Sequence, residues 1–280
     1  MKRKTSLLLL LLAIATAASA HDFVANGMYF NITSTSTVAV TYQGDYPNGH
    51  YSGAVVVPQT IDYQGTTYRV TAVTDYAFAN CPSLQSVELP VGVETIGLSS
   101  FMQSTSLSRV VLPEGLKEIG MWAFQGCQSL QRIVIPEGVE TLGEGALMQN
   151  PMLRYVNLPS TLHEIVQQQF YGNQALDTLV LHTEEPPAVT GNAQFYNVPS
   201  SLHVIVPCGA LEAYQGEPWS GFQVEENCGG IPTTPSSTLH APLYYDLTGR
   251  PLGSSLQGQP TGLYLERRGL QCKKVYHLNK

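Results

Sequence analysis

Residues 119–136 read Ile119-Gly120-Met121-Trp122-Ala123-Phe124-Gln125-Gly126-Cys127-Gln128-Ser129-Leu130-Gln131-Arg132-Ile133-Val134-Ile135-Pro136. A step of 23 positions in either direction returns the same reading. Phe124 shares a column with Phe78, Phe101, Leu147 and Phe170, and Leu130 with Leu84, Leu107, Leu153 and Leu176. Ile119 aligns with Val73, Ile96, Leu142 and Ile165, and Val139 with Val70, Val93, Leu116 and Leu162. Cys127 aligns with Cys81, Ser104, Asn150 and Asn173, and Pro136 with Pro90, Pro113 and Pro159, His182 taking the next place. Columns held in register over five units mark an internal repeat, the signature of a solenoid.

Each unit has the form V-x-x-I-G-x-x-A-F-x-x-C-x-x-L-x-x-V-x-L-P. Its L-x-x-V-x-L part alternates as a short strand does, with Leu84, Val87 and Leu89 on one side and Ser86 and Glu88 on the other. The following Pro has no N–H for a ladder and ends the strand. Gly97, Gly120 and Gly143 are read as tight bends, and the Ala-Phe pair as a short helical turn whose ring plugs the coil. One unit cannot bury about six apolar side chains alone, each worth about 1.5–3 kcal/mol. Stacked units can.

These residues resemble the BspA-like leucine-rich-repeat family of Bacteroidota. The stretches carrying the likeness are Ile119-Gly120, Ala123-Phe124, Cys127, Leu130 and Ile133-Val134-Ile135-Pro136. His21-Asp22-Phe23 with Tyr29-Phe30-Asn31-Ile32-Thr33 resembles the family's N-terminal β-hairpin cap. Val206-Pro207-Cys208-Gly209 with Leu211-Glu212-Ala213-Tyr214 resembles its closing segment. The likeness runs from about residue 22 to 229. It implies an α/β repeat solenoid with a parallel sheet on the concave face and short helical turns or short strands opposite. The Asn place of the better-known consensus holds Gly92, Gly115, Gly138 and Thr161, so no asparagine ladder of the usual kind is expected there. Where the register holds sets the expected boundaries: a β-rich cap over 21–67, repeats over 68–207, a closing cap over 208–230, a Pro/Thr/Ser linker over 231–239 and a small β module over 240–280.

The N-terminus carries Lys2, Arg3 and Lys4, an apolar run from Leu7 to Ile14, and Ala18-Ser19-Ala20. That is the pattern of a secretory signal peptide over residues 1–20, the alternative being a short N-terminal anchor. Its removal takes the formal charge from −7 to −10, which argues against a nucleic-acid or anionic-membrane partner. His21, not a cysteine, follows the expected cut, so no lipid anchor is expected there. The mature chain is expected at the cell surface or released outside the cell, with no transmembrane segment. Tyr245-Asp246-Leu247-Thr248-Gly249-Arg250, Gly262-Leu263-Tyr264-Leu265 and Lys273-Lys274-Val275 resemble the C-terminal sorting domains of type IX secretion, in a shorter form. Two readings of this module stand, a sorting or attachment segment and a passive β-hairpin tail.

Export makes disulfides available. Cys81 and Cys127 lie two coils apart, roughly 10 Å by the strand spacing, beyond the ~7 Å reach of a bridge; both are read as small buried thiols. Cys208 and Cys228 flank the closing segment and are candidates for a disulfide, with Cys272 left over. No metal or cofactor is expected: C-x-x-C and H-E-x-x-H spacings do not occur, nor do phosphate-loop, dinucleotide or nucleophile-elbow motifs. His163, His182 and His203 are read as exposed positions, and Glu184-Glu185 and Glu225-Glu226 as solvated turns.

Solenoids bind through the surface made by exposed strand positions. One row is Ser86, Arg109, Arg132, Tyr155, Thr178 and His203; its neighbour is Glu88, Val111, Val134, Asn157, Val180 and Ile205. Arg109, Arg132 and Tyr155 are of types favoured at binding hot spots and are the candidate ligand-binding residues, with Glu88 and Asn157 beside them. The valines of the second row suit strands whether or not anything binds. The resemblance implies a non-enzymatic adhesion or protein-binding function, with host matrix proteins or other bacterial surface proteins as partners. The alternative is an envelope-associated structural protein with no host ligand; a surface hydrolase is a distant third.

Overall fold

The computed structural model describes residues 21–44 and 49–228 and, beyond them, four strands between 243 and 277. The expected signal peptide and linker lie outside the described residues. The chain divides into two compact units between Gly229 and Gly230. The first is a β-solenoid of about seven coils of roughly 23 residues.

Six strands open it: β1 (Phe23–Ala25), β2 (Met28–Ile32), β3 (Thr37–Thr41), β4 (Gly53–Val56), β5 (Thr60–Tyr63) and β6 (Thr66–Val73). β1, β2 and β3 form an antiparallel meander, and β3 then pairs parallel to β6, so the cap continues into the coils by backbone hydrogen bonds. Phe23 stacks on Tyr63 with ring centroids 4.1 Å apart. Tyr51 lies 4.6 Å from Phe78 and donates its hydroxyl to the Thr41 carbonyl at 2.7 Å. The aromatic residues of the cap thereby cover the first coil's end.

The coils then alternate two kinds of strand. Front strands are β7 (Leu84–Glu88), β9 (Arg109–Val111), β11 (Arg132–Val134), β13 (Tyr155–Leu158), β15 (Thr178–Leu181) and β17 (His203–Pro207); two-residue back strands are β8 (Thr95–Ile96), β10 (Glu118–Ile119), β12 (Thr141–Leu142), β14 (Glu164–Ile165) and β16 (Ala188–Val189). Of the two expectations for the back, short strands hold. Helix among the described residues is confined to two 3-10 turns, Ala213–Gln215 and Trp219–Gly221. The Ala-Phe pairs are not helical, and the reason is the direction of their amides. Phe78, Phe101 and Phe124 donate their N–H groups to Ser100, Ala123 and Ala146 of the next coil at 2.7–2.9 Å. An amide committed across coils cannot close a helical turn. The rings do plug the core: Phe78, Phe101 and Phe124 stack at 5.0 and 4.9 Å, nearly parallel.

The glycine column works differently from the expected bend. Gly97, Gly120 and Gly143 have no left-handed backbone, but a Cβ on each would stand 2.4–2.7 Å from main-chain atoms of the preceding coil. They are glycine because coils touch backbone to backbone there. Val166 takes the same place in the next coil. There the back sheet stops: β12 is the last strand of the sheet that began at β1, and β14 pairs only with β16.

The Cys/Ser/Asn column is a buried polar ladder. Ser104 Oγ donates to the Phe78 carbonyl and accepts the Cys81 N–H at 3.2 Å. Cys127 Sγ donates to the Phe101 carbonyl at 3.2 Å. Asn173 Nδ2 donates to the Leu147 carbonyl at 2.9 Å and its Oδ1 accepts the Asn150 N–H at 2.8 Å. Each side chain reaches back to satisfy main-chain groups that the Phe turn buries. Cys81 and Cys127 are buried free thiols, and burial pushes the Cys127 thiol from 9.0 up to about 12.

At the far end β18 (Gln223–Asn227) pairs parallel to β17. Glu225 and Glu226 are therefore strand residues, not the solvated turn expected for them. Glu226 accepts the N–H groups of Gly209 and Leu211. Cys208 and Cys228 are joined as a disulfide with Cα atoms 4.5 Å apart. Tyr214 and Trp219, both buried, close the core against Phe195. The second unit is a four-stranded antiparallel sheet of β19 (Leu243–Tyr245), β20 (Pro251–Gly253), β21 (Gly262–Arg268) and β22 (Gln271–His277), in the order β20-β19-β21-β22.

Candidate functional site

Front strands present every second side chain outward, and pairing sets which of these become neighbours. Arg132 lies opposite Tyr155, Tyr155 opposite Thr178, and Thr178 opposite His203. Val134, Asn157, Val180 and Ile205 are matched in the same way. Ser86 is matched to Arg109, and Glu88 to Val111. Between β9 and β11 the pairing is interrupted: β4, β7 and β9 form one sheet, and β11 begins another. The expected continuous row is thus two rows. Glu88 and Arg109 stand exposed on the first; Arg132, Tyr155 and Asn157 meet on the second.

The second row is organised by direct contacts. The Arg132 guanidinium sits over the Tyr155 ring, 4.6 Å from its centroid, a cation–π contact that fixes two long side chains together. Burial raises the Tyr155 phenol above its ordinary value, with Asn157 and the Arg132 charge tempering the rise. Its hydroxyl is enclosed and meets no partner at hydrogen-bonding geometry among the described residues. Asn157 Oδ1 instead faces His182 Nε2 at 3.0 Å. Further along, His203 Nδ1 and Glu225 Oε1 lie 2.9 Å apart. The face runs from arginines at Arg109 and Arg132 to a mixed histidine and carboxylate end. His182 and His163 are exposed, and His203 is half-buried.

Several other chemistry-bearing groups among the described residues serve the fold. Cys208, Glu226 and Cys228 bring ligand atoms within 4.8 Å of one another. The disulfide occupies both sulfurs, however, and the Glu226 carboxylate already accepts two amides. The Cys127 thiol is held protonated by burial and is a poor nucleophile. Among the described residues no helix is long and apolar enough to cross a membrane.

Sequence reasoning missed one feature on the turn side. Gln103, Gln149 and Asn197 occupy one column with Gly126 and Gly172, and with Gln128 and Gln174 they line a groove of about 400 Å³. The signal was present as a run of amides at the repeat period. Attention to the apolar columns and the strand positions left these amides unread.

Residues 69–201 match the family model for the BspA type leucine-rich repeat region, in six copies. No curated protein matches the chain. Among solved structures it is similar to a leucine-rich repeat protein from Bacteroides ovatus, 24% identical, covering 67% of this chain and 49% of that one, with a TM-score of 0.44. A leucine-rich repeat protein of T. pallidum is 25% identical, covering 66% of this chain and 86% of that one, with a TM-score of 0.44. The pneumococcal vaccine antigen PcpA is 16% identical, covering 70% of this chain and 46% of that one, with a TM-score of 0.51, a likeness of fold alone. The chain spans about half the length of the Bacteroides ovatus protein.

Proposed function

We propose that this chain is an exported, surface-displayed repeat protein that binds protein partners through its front strand face. Host matrix proteins and the surface proteins of other bacteria are the partner classes. The observation that carries the reading is the Arg132–Tyr155 pair, 4.6 Å from guanidinium to ring centroid, with Arg109 exposed on the adjacent coil. Arg and Tyr dominate binding hot spots because they combine contact area with directed polar groups. A guanidinium already seated on its ring loses less freedom when a partner arrives. The leucine-rich repeats matched over residues 69–201 belong to an architecture that generally serves protein binding.

The test is capture of immobilised host matrix proteins and of whole bacterial surface extract by the wild type and by Arg109→Ala/Arg132→Ala/Tyr155→Ala. The triple variant is expected to lose about tenfold or more in affinity, the scale of a hot spot worth 1.4 kcal/mol or more. Equal capture of every partner by both proteins removes the strand face from consideration. Tyr155→Phe keeps the ring beneath the Arg132 guanidinium and should bind as the wild type does. Display at the surface is tested separately, by fractionating cells that express a chain lacking residues 240–280. A shift between fractions is expected if that module directs sorting or attachment, and an unchanged distribution makes it a passive tail.

A further inference from the structure

The groove on the turn side has a composition unlike the front face. Gln103, Gln128, Gln149, Gln174, Asn197 and Tyr171 line it together with two glycines and a proline, and no charged side chain is among them. A site without charge does not select an ion, a phosphate or a basic peptide, whose desolvation would go uncompensated. Primary amides each offer two donors and an acceptor, which suits a ligand made of hydroxyls that also donate and accept. Tyr171 stacks on Tyr196 with centroids 5.2 Å apart and planes 14° apart, and Tyr196 is 56% exposed. The pair offers an aromatic surface for the C–H face of a pyranose ring.

The backbone shows that glycine is accepted in this column. Gln103, Gln149 and Asn197 have φ of 59°, 58° and 59°, while Gly126 and Gly172 fill the same column in alternate coils with φ of 69° and 75°. The left-handed region is unfavourable by roughly 1–2 kcal/mol for a residue with a Cβ, and Gln lacks the short side chain that lets Asn adapt to it. The fold accepts glycine here and is relieved by it. Left-handed residues other than glycine recur four places earlier at Ser99, Trp122 and Gln168, so this backbone belongs to the coil. What marks the column is that it carries amides where glycine is accepted, with Gln149 Oε1 also accepting from Gln125 Nε2 at 3.1 Å.

We infer that this groove binds a neutral oligosaccharide, an extended chain of uncharged hexopyranoses laid across successive coils. Coils repeat at about 4.8 Å, close to the rise of one sugar in an extended β-linked chain, so like-placed amides two coils apart, such as Gln103 and Gln149, meet every second sugar.

The test is affinity electrophoresis of the full chain in gels containing neutral polysaccharides (glucomannan, xylan, mixed-linkage β-glucan) or anionic ones (polygalacturonate, heparin). Retardation in at least one neutral gel and none in the anionic gels is expected. Gln103→Gly/Gln149→Gly removes two amides while relieving two strained positions. It is expected to melt no lower than the wild type while its affinity for the retarding polysaccharide falls about tenfold, the effect of losing two such contacts. Arg109→Ala/Arg132→Ala/Tyr155→Ala, which alters the front face, is expected to be retarded as the wild type is. The inference is overturned if no neutral polysaccharide retards the protein, if only anionic ones do, if the glycine variant keeps full affinity, or if the front-face variant loses it.

Discussion

Asn173 carries more of the coil than its size implies. It is buried, with one amide hydrogen on the Leu147 carbonyl and its oxygen on the Asn150 N–H. Truncation leaves the buried Asn150 N–H without its partner, at about 1–3 kcal/mol, while the Leu147 carbonyl keeps the Asn150 Nδ2 donor at 2.8 Å. Asn173→Ala should therefore destabilise the solenoid by about 2 kcal/mol in urea unfolding, and an unaltered midpoint would remove the ladder from the account of stability. Cys127 belongs to the same column, and its thiol is raised to about 12. A thiol raised in the folded state contributes stability that is intact below its unfolded value near 9 and is lost as pH climbs towards the folded value. Stability should fall between about pH 9 and 12 in the wild type, and fall less steeply in Cys127→Ser; parallel curves would contradict it. The column itself was plain in the sequence. Its purpose was hidden because Cys, Ser and Asn there look like small core fillers, and only the coordinates show which carbonyl each one reaches. The same blindness applied to Tyr155, whose place in the row was readable but whose seat beneath Arg132 was not.

Backbone contact between coils decides what the two-residue back strands can do. A Cβ at Gly120 would lie 2.7 Å from Gly97 C and Leu98 N, whereas one at Gly221 would meet nothing within 4 Å. Gly120→Ala should thus destabilise by about 2–3 kcal/mol, as overpacking against main chain does, and Gly221→Ala should be within about 0.5 kcal/mol of wild type. Equal effects would refute the close-approach explanation. Val166 is the informative exception, since the ladder breaks where the glycine is missing. In Val166→Gly the amides of 163–166 should gain hydrogen-exchange protection as β14 closes onto β12; no gain would mean that something other than the side chain holds them apart. The glycine column was plain in the sequence, which left the back open between short helical turns and short strands, and the bend assigned to the glycines was the wrong reason for them. Periodicity reports where a small residue is required, not whether a bend or a neighbouring coil requires it. The gap between β9 and β11 was likewise invisible, because the repeat pattern runs through it unchanged.

A solenoid holds together through nearest-neighbour contacts, so its ends are where it is most exposed to solvent and to other chains. At the N-terminal side the antiparallel meander and its aromatic residues supply the cover. At the other side the task falls to 208–228. β18 occupies the edge of β17, whose Val204 and Val206 are buried beside half-buried Ile205, and Tyr214 and Trp219 seal the last coil. β18 itself presents Gln223, Glu226 and Asn227 to solvent, and charged or polar edges resist further pairing. The disulfide ties both ends of this segment across a sequence separation of 20 residues, a loop for which cross-linking stabilises by about 3 kcal/mol. Cys208→Ser/Cys228→Ser should accordingly lose about that much, with proteolysis beginning within 208–228 while the coils remain resistant. A chain ended at Pro207 goes further, since it bares the β17 edge and the core around Phe195 together. It is expected to self-associate in a concentration-dependent way in light scattering, while the disulfide variant keeps the molar mass of the wild type. If the truncated chain has the wild-type mass and melting temperature, the closing segment is dispensable and the last coil must be covered by something other than β18 and its two aromatic residues.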